Sequence, residues 1–267
     1  MSIIYHRNWL RSSAYKLKKY ENGWHISPKD FGETYNPFDC AADILLVFLN
    51  IGHLAHKGAD ATVAITDFVN SYGVLGFAQS VIAKEYEDGA VKVYESSFAT
   101  SKSALTVAEY FELFFPDAEA RKKYFKRAHA NMTVTMRMSG TKRGAQWLCM
   151  ADSDYAENSQ CISGFAQHLY GLLDKVQRGE PFSHRLGNIR TAVVADGDTP
   201  RAEYEFDSLK SALDIMLMLE ITKPRRTLKL CKHCGGVFRS ENLNAAYCSS
   251  SCRNVHNVKL SRRRRKA

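Results

Sequence analysis

Cys231-Lys232-His233-Cys234-Gly235-Gly236 and, with thirteen residues between Cys234 and Cys248, Cys248-Ser249-Ser250-Ser251-Cys252 set two close pairs of thiols in one short stretch. In the first pair the two glycines allow a tight backbone turn, so both sulfurs can point inward with N–H groups facing them. In the second pair the spacing of four puts Cys248 and Cys252 one above the other if a helix begins there. Four soft sulfurs in a tetrahedral set suit Zn²⁺ or iron, and the ferredoxin spacings of iron–sulfur proteins are missing, so structural Zn²⁺ is the expected cofactor. A closed four-sulfur set leaves no position for water or substrate, so the metal is expected to hold structure and catalyse nothing. About 40 mostly polar residues cannot keep a fold without such a staple. His233 lies inside the knuckle pointing away, and His256 is superfluous once four thiolates are counted.

Charge is concentrated in the same place. From Lys223 to Ala267, thirteen basic side chains face the single acid Glu241, a balance of +12 in 45 residues. The other 222 residues hold twenty-four bases and twenty-seven acids, so the net +9 of the chain belongs entirely to its C-terminal segment. Pro224 ends any helix that runs into it. The expected organisation is a body over residues 1–222, sensory or dimerising, and a zinc finger with a basic tail over residues 223–267.

After Cys252 a helix is expected through Arg253, Asn254, Val255, His256, Asn257, Val258, Lys259, Leu260 and Ser261 into Arg262, Arg263, Arg264, Arg265 and Lys266. Arginine, lysine and asparagine are the side chains that grip phosphates and read base edges. Arg253, Asn254, Asn257, Lys259 and Arg262 to Lys266 are therefore the candidate nucleic-acid-binding residues. On the order of six to ten phosphate contacts would make the affinity steeply salt-dependent. The bland rival is a solvated basic tail.

The body reads as α+β, mostly helical with short antiparallel hairpins. Helices are expected over 37–56, with Ile44, Leu45, Phe48 and Leu49 as an apolar face, over 61–71, 104–115, 117–130 and 157–175, and over 207–221 with Asp207 or Ser208 as cap. Hairpins are expected at 80–98 around Asp88-Gly89 and at 132–150, with strands at 189–194 and 203–206. The longest apolar run, Ile44 to Leu49, is six residues, against about 20 for a membrane span. The first twenty residues scatter five cations and lack the pattern of a secretory signal. The expectation is a cytoplasmic protein with no membrane partner. A hydrophobic content of 45% and 11% aromatics exclude a disordered or collagen-like chain.

Chemistry in the body is thin. His53 and His56 share a helical face, but no Glu follows His53 as a zinc-protease pattern demands. Cys40, Cys149 and Cys161 are small buried hydrophobes before they are nucleophiles. No glycine run cradles a phosphate. No catalytic residue is assigned, and the reading favours a non-enzyme.

The segment Leu230-Cys231-Lys232-His233-Cys234-Gly235-Gly236-Val237-Phe238, then Ala246-Tyr247-Cys248-Ser249 and Cys252-Arg253-Asn254, resembles the CGNR-type and related "YCS…CR" treble-clef zinc fingers. These stand at the C-termini of bacterial proteins predicted to be transcription regulators. The resemblance covers about 50 residues and implies a small treble clef, with the four cysteines as zinc ligands and Asn254 in the place of the family's Asn. The family's Cys-Gly-Asn-Arg is here Cys252-Arg253-Asn254-Val255, and the second pair is one residue closer. The function expected is a bacterial zinc-finger nucleic-acid-binding regulator, with DNA favoured over RNA and a homodimer as the natural assembly. The alternatives are a zinc-stabilised protein-interaction module, or a toxin or defence enzyme carrying a nucleic-acid-targeting finger.

Overall fold

The computed structural model describes residues 4–5, 9–30, 32–77, 81–85, 91–95, 114–119, 155–184, 186, 189–196, 199–206 and 208–265. They form an α+β fold. A 3-10 turn, Pro37–Cys40, opens with Asn36 accepting from the Phe38 N–H and leads into α1, Ala41–His56. Helix α2, Thr62–Tyr72, stops at Gly73, whose φ of 91° suits a residue without Cβ. Helix α3, Ser159–Arg178, is capped by Asn158 at its start and by left-handed Gly179 at its end. Helix α4, Leu209–Ile221, is capped by Ser208, as its sequence allows.

The strands are short. In chain order they are β1 (Ile4–Tyr5), β2 (Trp9–Arg11), β3 (Tyr15–Tyr20), β4 (Gly23–Pro28), β5 (Glu33–Tyr35), β6 (Val81–Glu85), β7 (Val91–Glu95), β8 (Glu157–Asn158), β9 (Ile189–Asp196), β10 (Thr199–Phe206), β11 (Leu228–Leu230) and β12 (Val237–Arg239). The β6–β7 pair is the hairpin expected at 80–98, and the strands expected at 189–194 and 203–206 are the longer β9 and β10, paired antiparallel. β1, which no reading anticipated, joins the second hairpin by pairing in parallel with β10. The N-terminal strands were not foreseen. β3 pairs with β4 and β4 with β8, whereas β2 pairs with β5. Most of the helices expected at 104–115 and 117–130, and all of the hairpin at 132–150, lie outside the described residues.

The core sits where α1 crosses α3. Phe48 packs its ring 5.0 Å from Phe68 of α2 and 5.6 Å from Phe165 of α3. Gly52 makes the crossing possible: a Cβ there would meet the Ala166 carbonyl oxygen at 2.1 Å. Helix α4 is buried from Leu209 through Leu217, and a helix enclosed on all sides belongs in a core. The β2–β5 pair closes the end of α2. Arg11 donates to the Ser71 carbonyl at 2.7 Å, Tyr35 to Tyr72 at 2.6 Å, and the Trp9 indole to Val74 at 3.0 Å, so carbonyls that the helix leaves free find donors. Glu157 knits the next turn. Its fully buried carboxylate accepts from the backbone of Leu75, Gly76 and Phe77 and from the Tyr155 hydroxyl. Burial pushes its pKa up against the lowering effect of those four donors.

By length and composition the 20-residue helical stretch Pro37–His56 also suits a membrane span, which a count of uninterrupted apolar residues misses. In the fold its apolar face is spent on the core, with Ile44, Leu45, Phe48, Leu49, Ile51 and Gly52 buried.

Candidate metal centre and basic helix

The hairpin β11–β12 carries the first cysteine pair at its turn. The Cys231 N–H donates to the Gly236 carbonyl and the Gly235 N–H to the Cys231 carbonyl, both at 2.9 Å, which folds the knuckle back on itself. Gly235 reaches this turn at φ 78°. The Lys232 N–H donates to the Ala246 carbonyl at 2.9 Å, bringing the segment before Cys248 alongside the knuckle. Helix α5, Ser250–Arg264, then begins with Ser249 as its cap, the hydroxyl accepting from the Cys252 N–H at 3.1 Å.

These elements gather Cys231, Cys234, Cys248 and Cys252, with all four sulfurs within 4.8 Å of one another. Cys234 and Cys248 stand 3.7 Å apart, and Cys248 and Cys252 3.5 Å. A disulfide needs about 2.05 Å between sulfurs, so these are thiols. A metal tetrahedron with bonds of about 2.3 Å has edges of about 3.8 Å, close to what the sulfurs adopt. The cluster is thus arranged to bind a metal ion. Among the described residues it is the only such group, and neither His233 nor His256 joins it. Instead the His256 ring packs 5.3 Å from Tyr247 and 6.3 Å from His233.

The thiols are electrostatically unequal. Burial would raise Cys231, but the N–H groups of Cys234, Cys248 and His233 prevail and lower it to about 6. Burial and the neighbouring thiols push Cys248 up to about 12. The Gly236 N–H reaches the Cys234 sulfur at 3.4 Å, a donor suited to a thiolate ligand.

Helix α5 behaves unlike the other helices among the described residues. No residue of it is buried, and Arg253, Asn254, Asn257, Lys259 and Arg262 to Arg265 are all exposed along some 22 Å of helix. Arg262, Arg263 and Arg264 occupy the last turn, where cations complement the helix dipole. Lys266 lies outside the described residues.

The hairpin itself is seated on the body. Leu228, Leu230 and Val237 belong to the same core cluster as α1 and α3. Asn50 and His53 of α1 and Lys57 at its C-cap, with Tyr170 and Gln177 of α3, touch residues 230–237. The sequence offered no signal for these five, since each acts across 53 residues or more. His53 and His56 take no part in a metal group; their rings lie 5.5 and 5.3 Å from Tyr170. Burial, then the neighbouring Lys57 and His56, lower the His53 pKa. Cys40 is half-buried, and burial followed by Asp39 and Asp43 raises its pKa, the opposite of an activated nucleophile. Cys161 is half-buried, and Cys149 lies outside the described residues.

A cluster that sequence spacing did not reveal lies between α3 and α4. The His184 Nε2 stands 3.1 Å from Asp214, Lys210 Nζ lies 3.9 Å from the other Asp214 oxygen and over the Phe165 ring, and the His168 ring packs 5.4 Å from His184.

No protein-family model matches the chain, and neither a curated protein nor a solved structure matches it significantly.

Proposed function

We propose that the chain is a zinc-stapled nucleic-acid-binding protein, with DNA as the favoured partner, that acts in bacterial transcription regulation. The observation that carries this reading is helix α5: its start is pinned by four clustered cysteines, and none of its residues is buried while Arg253, Lys259 and Arg262 to Arg264 stand exposed along it. A helix that buries nothing gains little from the fold it belongs to, and a basic helix of this diameter suits a nucleic-acid groove. Zinc is favoured because four thiolates at tetrahedral spacing complete its coordination. The hairpin with its knuckle, followed by Cys248 and a helix whose first turn bears Cys252, has the order of a treble clef. Even with four thiolates on Zn²⁺ removing two charges, the segment after Lys223 keeps about +10. One finger buries little surface, so sequence-specific binding would draw on a second copy of the chain or on the body.

The test is metal analysis followed by titration of duplex DNA and of RNA across a range of salt. One zinc per chain and an affinity that falls steeply with salt support the proposal. No binding by the metal-loaded protein, or a flat salt profile, overturns it. The enzyme alternative has in its favour the buried Lys210 and Asp214 gathered with the half-buried His184 and His168, since such clusters of titratable groups are candidates for catalytic sites. Burial followed by His184 lowers the His168 pKa. Nucleic-acid cleavage by the wild type that His168→Ala abolishes would favour that alternative.

A further inference from the structure

We propose that Asn50 and Gln177 are positioning residues that couple metal occupancy of the cysteine cluster to the α1–α3 core, so that loss of the metal is felt by the body. The proposal rests on the metal reading above and adds a regulatory consequence to it.

A two-stranded hairpin has two outer edges whose backbone groups need partners. Here one rung has both edges closed by side chains of the body. Leu230 and Val237 face each other as the last pair before the knuckle. On one edge, the Asn50 amide accepts from the Val237 N–H and donates to the Val237 carbonyl, both at 3.0 Å. On the other, the Gln177 amide accepts from the Leu230 N–H at 2.6 Å and donates to the Leu230 carbonyl at 3.0 Å. Each amide thus imitates a neighbouring strand. The residues flanking this rung are Cys231 and Gly236, already joined by a backbone bond.

The same two helices hold the turn itself. Lys57 donates to the Cys234 carbonyl at 2.7 Å, and Tyr170 donates to the Gly235 carbonyl at 3.0 Å. His53 lies so close beneath Gly235 that a Cβ there would meet its Cε1 at 2.9 Å. Asn50 and His53 follow one another along one face of α1, continued by Lys57 at its C-cap, and Tyr170 and Gln177 along one face of α3, at spacings of three, four and seven. The knuckle therefore reads the relative position of both helices.

Without metal, the small polar module loses its staple. The clamped rung then frays, and Leu228, Leu230 and Val237 lose their seat in the core. Coupling of this kind is reciprocal. Whatever factor metal adds to the stability of the clamped rung, the clamps add to the affinity for metal.

The experiment is hydrogen exchange on the full chain, zinc-loaded and after chelation, alongside zinc affinity measured against a competing chelator. Chelation should speed exchange about tenfold or more in 46–56 and 170–178, while α2 changes far less. Asn50→Leu and Gln177→Leu should still take up one zinc, bind it about tenfold more weakly, and lose the response of α1 and α3 to chelation. Should the Leu variants fail to fold, Asn50→Asp and Gln177→Glu retain the acceptor and should show intermediate values. Wild-type zinc affinity in these variants, or exchange in α1 and α3 that ignores zinc in the wild type, overturns the coupling while leaving the metal reading intact. A chain that takes up no metal overturns both.

Discussion

Helices α3 and α5 differ in kind although both carry a proper cap and similar length. Helix α3 buries Ile162, Phe165, Ala166, Leu169, Tyr170, Leu172 and Leu173 against the body, whereas α5 buries nothing. One is held by apolar burial, worth about 25 cal/mol per Å² removed from water. The other is held at one end by four sulfurs and a serine cap. The difference separates what must pack to exist from what is presented outward, and the two regions should fail in different ways.

Cys248→Ser should have the largest effect on the presented region, abolishing metal uptake and unfolding residues 228–265, read as loss of their amide protection. In the packed region, Gly52→Ala drives a methyl into the Ala166 carbonyl and should cost about 3 kcal/mol, read as a fall in Tm. Smaller is Glu157→Gln, which replaces one of the two acceptors serving four donors. About 2 kcal/mol of destabilisation is expected from denaturant unfolding, with α5 and its metal unaffected.

Glu220 joins the two regions, accepting from Thr227, Leu228 and Lys223. Burial would raise its pKa, but the bonds from Lys223 and Thr227 prevail and hold it at about 2, below its ordinary 4.5. Because the folded value is depressed, its contribution is complete above pH 4.5 and fades as pH falls through about 2. Glu220→Gln should cost about 1 kcal/mol at pH 7, and the gap from wild type should close on acidification. Smallest for stability is the replacement of Arg262 to Lys266 by Ala, within about 0.5 kcal/mol. The same variant should nonetheless lower the salt slope of nucleic-acid binding by about 4.

The sequence was most legible where signals are local. Cys231 to Cys252 carry their chemistry in their spacing, and α1, α2 and α4 in their apolar periodicity, with Gly73 and Ser208 marking ends where expected. Helix α3 starts two residues later than expected because Glu157 and Asn158 are drawn into pairing with β4, 131 residues away in the case of Glu157 and Ile26. Strands β3 and β4 escaped notice because Lys16, Lys18 and Lys19 make β3 an exposed edge without an apolar face. Asn50 and Gln177 were illegible for a related reason. An amide on a helix carries no mark of a strand edge that folds against it from 187 or 53 residues away.

Helix α5 is proposed above as a polyanion-binding helix presented by a cysteine cluster that holds a metal. This proposal is tested most directly by the affinity of the zinc-loaded chain for duplex DNA as salt is varied. The account predicts that log K falls linearly with log salt, with a slope of about −5 to −9, and that chelation removes the binding. Binding that ignores salt, or that survives complete removal of the metal unchanged, would contradict it.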